Sequence, residues 1–173
     1  QNTKMGLIFV FNRETGEPLF PIEERPVPAS DIPGERASPT QPFPLIPKPL
    51  TLTELNAENA WGVTFWDKGK CAEQIASYRS EGLFTPPSIR GTVNLPNGYG
   101  GVNWGNAAYH PKENLLIVTA TQVANVSKLI PRELSAQISI TDHGNLDVGG
   151  PMEDTPYMYR STPIFSPFDA PCT

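Results

Sequence analysis

Few residues in this chain are of a type and placement to do chemistry. Lys4 stands just before the apolar run Leu7-Ile8-Phe9-Val10-Phe11, where the end of a sheet can hold a side chain rigidly. An ammonium held there can stabilise negative charge developing on an oxygen, and the plain alternative is an exposed strand flank. Asn103-Trp104 follows the glycine loop Asn97-Gly98-Tyr99-Gly100-Gly101. An asparagine binds a carboxylate or carbonyl directionally and a tryptophan gives a flat apolar wall, although Trp104 serves equally well as a core anchor.

Other constellations are weaker. Asp142, Asn145 and Asp147 offer hard oxygens at close spacing, but they lack the EF-hand order and its terminal glutamate, so a solvent-facing loop is preferred to calcium. His110 and His143 have no CxxC partner, which disfavours zinc. Cys71 and Cys172 are too few and too distant to define a disulfide scaffold; they can pair with each other, stay as buried thiols, or pair elsewhere. Asn125-Val126-Ser127 has the form of an N-glycosylation sequon and nothing more. The chain contains no GxGxxG fingerprint, no GxxxxGK[ST] loop and no GxSxG elbow.

Composition bounds the rest. The 173 residues suffice for one domain with a sizeable core, and 38% hydrophobic content argues that part of the chain is buried. Fourteen glycines and twenty prolines put much of the backbone into turns and irregular connections. A net charge of −5 with no basic run excludes a nucleic-acid surface, because phosphates demand concentrated positive charge. The longest apolar run, Leu7 to Phe11, is too short to span a bilayer, and no cationic leader precedes it.

The elements that must position Lys4 and Asn103 read as short strands. Leu7–Phe11 has the pattern of a strand buried on both sides, and Asn12-Arg13-Glu14-Thr15-Gly16 reverses the chain into a returning strand at Glu17–Phe20. Ten of the twenty prolines fall between Pro18 and Pro49, which predicts a long loop over 18–50 laid on a scaffold and unable to supply a central strand. Thr51 or Thr53 is a capping-box candidate, Trp61–Trp66 reads as a strand, and Cys71–Glu81 as one short helix with Ile75 and Tyr78 on one side. Gly91–Leu95 is a further strand. The strand, polar turn, strand pattern of 7–20 recurs at 104–119, with Leu115–Val118 as its return, and suggests stacked small antiparallel sheets. From Ser135 onward periodicity fades. The expected fold class is all-β.

Lys4 through Pro18 resembles a blade segment of the pyrroloquinoline quinone (PQQ) dependent dehydrogenases, nearest the membrane-bound, glucose dehydrogenase-like branch. Glu24–Pro28, Ser38–Phe43, Glu81–Ser88, Ser127–Arg132 and Ser166-Pro167-Phe168 resemble that branch in the same order. The resemblance covers 1–173 and implies an incomplete propeller domain of roughly two to three blades out of eight, middle to late in the ring. It implies oxidation of a sugar or polyol hydroxyl on the periplasmic face, with membrane anchoring through a region absent from this chain. Electrons would pass to ubiquinone or another acceptor.

The cofactor implied is PQQ with calcium or magnesium, whose main ligands fall outside this chain. By position, Lys4 matches the lysine that hydrogen-bonds the reactive quinone oxygens, and Asn103 and Trp104 match a cofactor-contacting inner rim. Thr119 stands where sugar-oxidising relatives often carry a cofactor-contacting asparagine. None of Asp31, Asp67, Asp142, Asp147, Asp154 or Asp169 matches the family's catalytic aspartate, so the chain alone is expected to be inactive. Two other readings stand beside this one: a quinate or cyclic polyol dehydrogenase segment, and a propeller module kept for binding or structure without redox chemistry.

Overall fold

A computed structural model describes residues 1–103, 107–137 and 148–173. The chain is mostly β, with three antiparallel sheets among the described residues. Strands β1 (Ile22–Pro26) and β2 (Thr40–Pro44) form one ribbon, and β4 (Ala107–His110) and β5 (Leu115–Val118) form another. A four-stranded sheet has the order β3 (Thr92–Asn94), β6 (Asn125–Pro131), β8 (Tyr157–Pro163), β7 (Val148–Pro151).

An α-helix, α1 (Phe65–Ala76), amends the all-β expectation. It begins six residues earlier than the sequence reading placed it and takes the end of the segment expected as a strand at Trp61–Trp66. Thr64, in extended conformation, caps it: its hydroxyl accepts the Asp67 N–H at 3.2 Å, while the Asp67 carboxylate accepts the Val63 N–H at 3.0 Å. A Cβ on Gly62 would sit 2.2 Å from the Lys68 nitrogen, so only glycine lets the chain pass this close to the first turn. At the other end the Arg90 guanidinium binds the carbonyls of Ala76 and Ser77, satisfying acceptors that the helix leaves open.

Asp67, Cys71 and Ile75, each four residues on, form the buried stripe of α1. The stripe packs with Leu55, Ala60, Val93, Leu95, Ala124, Val126 and Ile164 in the main core, and Tyr78 packs against it from the side. Alternation along β3 and β6 sends Val93 and Val126 to this face and leaves Asn94, Asn125 and Ser127 to the opposite one. Cys71 and Cys172 are disulfide-bonded with Cα atoms 5.5 Å apart, which resolves the three alternatives left open by the sequence.

The remaining expectations fare unevenly. The turn at 12–16 forms, with Gly16 at φ +76° and Asn12 N–H donating to the Glu17 carbonyl at 2.8 Å. Its flanks are not regular strands: Leu7–Phe11 makes only single bridges, Asn2 to Ile8 and Phe11 to Pro18, and Leu7 and Ile8 alone are buried within it. No helix follows Thr51 or Thr53 among the described residues. The proline-rich stretch 18–50 contains the β1–β2 ribbon, a two-stranded arrangement in which prolines forfeit few ladder bonds. Strands β6 and β8, the centre of the large sheet, were not expected. Their alternation is interrupted by Pro131 and by mixed polar residues, and only pairing with each other reveals them.

Arg79 fastens the proline-rich stretch to the body. Its backbone bonds to Gly91 and Val93 beside β3, while its guanidinium binds the Ala29 carbonyl, the Glu81 carboxylate at 2.6 Å and approaches Asp31 at 3.8 Å. The hydrogen bond from Arg79 holds the Glu81 carboxyl below the usual glutamate range. A depressed carboxyl contributes stability above its unfolded pKa and loses it as pH falls through the folded value. Glu81→Gln should therefore flatten the acid limb of a stability-against-pH curve below about pH 4.5 while changing its shape little at neutrality, as followed by thermal unfolding at stepped pH. The disulfide closes a separation of 101 residues, and chain-entropy arguments assign such a loop about 4 to 5 kcal/mol. A Cys71→Ser, Cys172→Ser double variant should lose stability on that order in denaturant unfolding.

Candidate functional site

Lys4 lies at the tip of a tight turn. The Thr3 hydroxyl and backbone N–H both bond to the Leu7 carbonyl, the Gly6 N–H donates to the Thr3 carbonyl at 3.0 Å, and buried Leu7 anchors the base. Gly6 has φ +74°, and a Cβ there would fall 2.4 Å from the Thr51 hydroxyl. The turn therefore needs glycine on both conformational and steric grounds. The Lys4 side chain is exposed.

The glycine loop at 97–101 meets this turn. The Gly101 N–H donates to the Lys4 carbonyl at 2.8 Å, and the Thr121 N–H donates to the Gly101 carbonyl at 2.7 Å. Gly100, at φ +98°, faces both candidate side chains: a Cβ there would lie 2.9 Å from Lys4 Cγ and 3.1 Å from Asn103 Oδ1. One glycine thus brings together an ammonium side chain and a carboxamide that lie about a hundred positions apart in sequence. Both are exposed, so the pair can meet a ligand from solvent. A cation beside a neutral donor and acceptor suits an oxygen-rich anionic group, and a quinone bearing carboxylates fits that donor set.

Thr119 is exposed just beyond β5, two residues before the Thr121 bond to Gly101. That bond ties its segment to the same loop. Trp104 and the residues Asp142, His143, Asn145 and Asp147 lie outside the described residues. Among the described residues no group of three or more His, Cys, Asp or Glu side chains is placed to hold a metal ion. The aspartates within the described residues have other placements: Asp67 caps α1, Asp31 approaches Arg79, and Asp154 and Asp169 occupy positive-φ positions.

Sequence reasoning missed the support beneath the loop. Asn125, read only as part of a sequon, is 5% exposed; its carboxamide donates to the Ser161 hydroxyl and accepts the Gly98 N–H at 3.2 Å. A side chain so engaged is not presented for glycosylation. Ser127 continues the polar face of β6 with bonds to Asn94 and Tyr159. The period-two spacing of Asn125 and Ser127 was the available signal. Residues Gly98 and Tyr99 of the same loop border an open, mostly apolar cavity of about 460 Å³ with Val148, Tyr159 and Phe165. Among the described residues no charged side chain lines it, so a carboxylate-rich ligand is better matched by Lys4 and Asn103.

The family model described as glucose/ethanol/alcohol dehydrogenase, beta-propeller domain, matches residues 1–173. The chain belongs to the PQQ-dependent dehydrogenase family. It is 34% identical to a quinoprotein glucose dehydrogenase of Escherichia coli and 32% identical to a quinate/shikimate dehydrogenase (quinone) of Acinetobacter baylyi, in each case over 98% of this chain and 22% of the relative. A glycerol dehydrogenase large subunit of Gluconobacter thailandicus is 32% identical over 96% of this chain and 24% of its own length. The chain thus spans less than a quarter of these relatives. No solved structure matched, and among the described residues no helix is long and apolar enough to cross a membrane.

The close approach at Gly100 yields a direct test. Gly100→Ala adds both a clash and positive-φ strain, whereas Gly16→Ala adds only strain, since nothing lies within 4 Å of its added Cβ. Gly100→Ala should lower the melting temperature more than Gly16→Ala, measured by thermal unfolding. Equal effects of the two substitutions would show that the Lys4–Asn103 approach is loose.

Proposed function

We propose that this chain is the part of a PQQ-dependent dehydrogenase that supplies one wall of the cofactor site, in an enzyme that oxidises a sugar or polyol hydroxyl. The observation that carries the proposal is the convergence of Lys4 and Asn103 on Gly100. Family membership supports the cofactor; the geometry supports the roles of these residues.

In this reading the Lys4 ammonium would hold the cofactor's quinone oxygens, where a fixed cation favours negative charge. Asn103 would orient the bound group through its carboxamide, Trp104 would supply an aromatic side chain to the same site, and Thr119 would donate one hydrogen bond from the adjoining segment. PQQ itself supplies the hydride-accepting chemistry when bound. Calcium or magnesium and the general base would be held by residues outside this chain, as would most substrate contacts.

The remaining blades of an eight-bladed propeller would cover faces that this chain leaves open, among them Leu115, Leu116 and Ile117 of β5, each more than half exposed. We place the enzyme on the periplasmic face, held at the membrane by another region, with ubiquinone or a similar quinone as electron acceptor. Glucose, quinate and glycerol relatives match almost equally well, so the proposal extends to a hydroxyl-bearing sugar, polyol or cyclic polyol and selects none of them.

Replacing Lys4 by alanine in the parent protein should slow single-turnover cofactor reduction by on the order of a hundredfold to a thousandfold, with the fold intact by circular dichroism. The 173-residue chain mixed with PQQ, metal and substrate serves as a control without turnover. An unchanged single-turnover rate in the variant removes Lys4 from the site.

A further inference from the structure

Resting on the Lys4 reading, we propose that Asn125 is a positioning residue for the cofactor site, acting through the glycine loop, with Ser161 as its orienting partner. Asn125 lies in β6 between two paired strands, opposite Asn94 of β3 and Pro163 of β8, so its backbone belongs to the most supported part of the sheet. Its side chain is buried. The amide nitrogen donates to Ser161 Oγ, which sets the orientation of the carboxamide, and the oxygen then faces the Gly98 N–H.

From Gly98 the support passes along the loop by short steps. The Asn97 N–H donates to the Val123 carbonyl at 3.1 Å, giving the loop a second anchor on the segment leading into β6. The Gly100 N–H returns to the Asn97 carbonyl at 2.8 Å and closes the turn. Gly100 then lies against Lys4 Cγ and Asn103 Oδ1, and the Gly101 N–H holds the Lys4 carbonyl. The loop carries one bond from β6 and one from the segment leading into it on one side, and its contacts with the candidate cofactor residues on the other.

The residue type follows from the geometry. The position needs an acceptor towards Gly98 and a donor towards Ser161 on one short, planar group, which a carboxamide supplies without introducing a buried charge. An alanine removes the tie from β6 to Gly98 and leaves the loop its bonds from Asn97 to Val123 and between Thr121 and Gly101. The surface that Gly100 presents to Lys4 and Asn103 then loses its support at Gly98, and misplacement by about 1 Å is enough to cost on the order of a hundredfold in a positioned reaction.

The test uses the parent protein with Asn125→Ala and, as a milder change that leaves the acceptor in place, Ser161→Ala. Two quantities are read: amide hydrogen exchange without cofactor, and the single-turnover rate of bound cofactor reduction at saturating substrate. The expected result for Asn125→Ala is at least tenfold faster exchange at 97–101, unchanged exchange in α1 and β6, and a reduction rate lower by about tenfold to a hundredfold with cofactor still bound. Ser161→Ala should move both in the same direction by less.

Unchanged loop exchange overturns the proposal, as does faster loop exchange with a parental reduction rate. Exchange that rises equally in α1 and β6 in both variants also overturns it, because the residue would then be stabilising the domain as a whole. A Lys4→Ala variant that keeps the parental rate defeats the underlying site reading instead. The Lys4→Ala rate separates that case, since a lowered rate there beside a parental rate in Asn125→Ala defeats the Asn125 proposal alone.

Discussion

Cys71 and Cys172 are separated by 101 positions, yet they meet in a bond with no solvent exposure at either residue. That bond holds α1 against one face of the four-stranded sheet, where Ile75, Leu55 and Ile164 are buried together. Burial of each such side chain contributes about 1.5 to 3 kcal/mol, and the cross-link restricts the unfolded chain by a comparable or larger amount. The exposed Lys70–Glu73 pair on the outer side of α1 contributes only a few tenths of a kcal/mol by comparison. The helix is therefore held by its inner stripe and its cross-link, which leaves Phe65 and Trp66, each 71% exposed, without a role in that core.

With α1 covering one face, the strand alternation gives the opposite face of the sheet a different character. Val126 turns into the core while Asn125 and Ser127 turn away from it and join a polar network with Asn94, Tyr159 and Ser161. A buried polar network is tolerable only when its members are paired. Here the pairing extends outward through Gly98 into the loop that meets Lys4, so the same strand serves stability on one side and the candidate site on the other. The glycines of that loop do what no other residue allows: Gly100 combines a positive φ with space for two neighbouring side chains and none for a Cβ.

The elements most legible in the sequence were those specified by local chemistry. The turn at 12–16 follows from Asn12, whose side chain accepts from the Glu14 and Thr15 N–H groups, and from Gly16. Strand β5 matches the apolar run Leu115–Val118, and β3 falls within the expected Gly91–Leu95. The error at Trp61–Trp66 has the same local origin. Alternating apolar residues there imitate a strand, while the Thr64–Asp67 cap and the close passage of Gly62 commit the chain to a helix. Strands β6 and β8 carry only a partial periodic signal: Asn125-Val126-Ser127 alternates, Leu129-Ile130-Pro131 does not, and β8 is half-buried along its whole length.

By itself the sequence determined the family, through ordered segments spread from Lys4 to Phe168, and with it the candidate residues Lys4, Asn103, Trp104 and Thr119. It also determined the predominance of short strands and turns, since prolines and glycines restrict or free the backbone wherever they stand. Only the tertiary structure decided that Cys71 pairs with Cys172, that Asn125 supports a loop and is not presented as a sequon, and that Lys4 and Asn103 share one glycine. Each of these depends on two segments about thirty to a hundred residues apart meeting within bonding distance. That proximity is set by the pairing of β3, β6 and β8 and the burial of α1, which no local pattern of residues encodes.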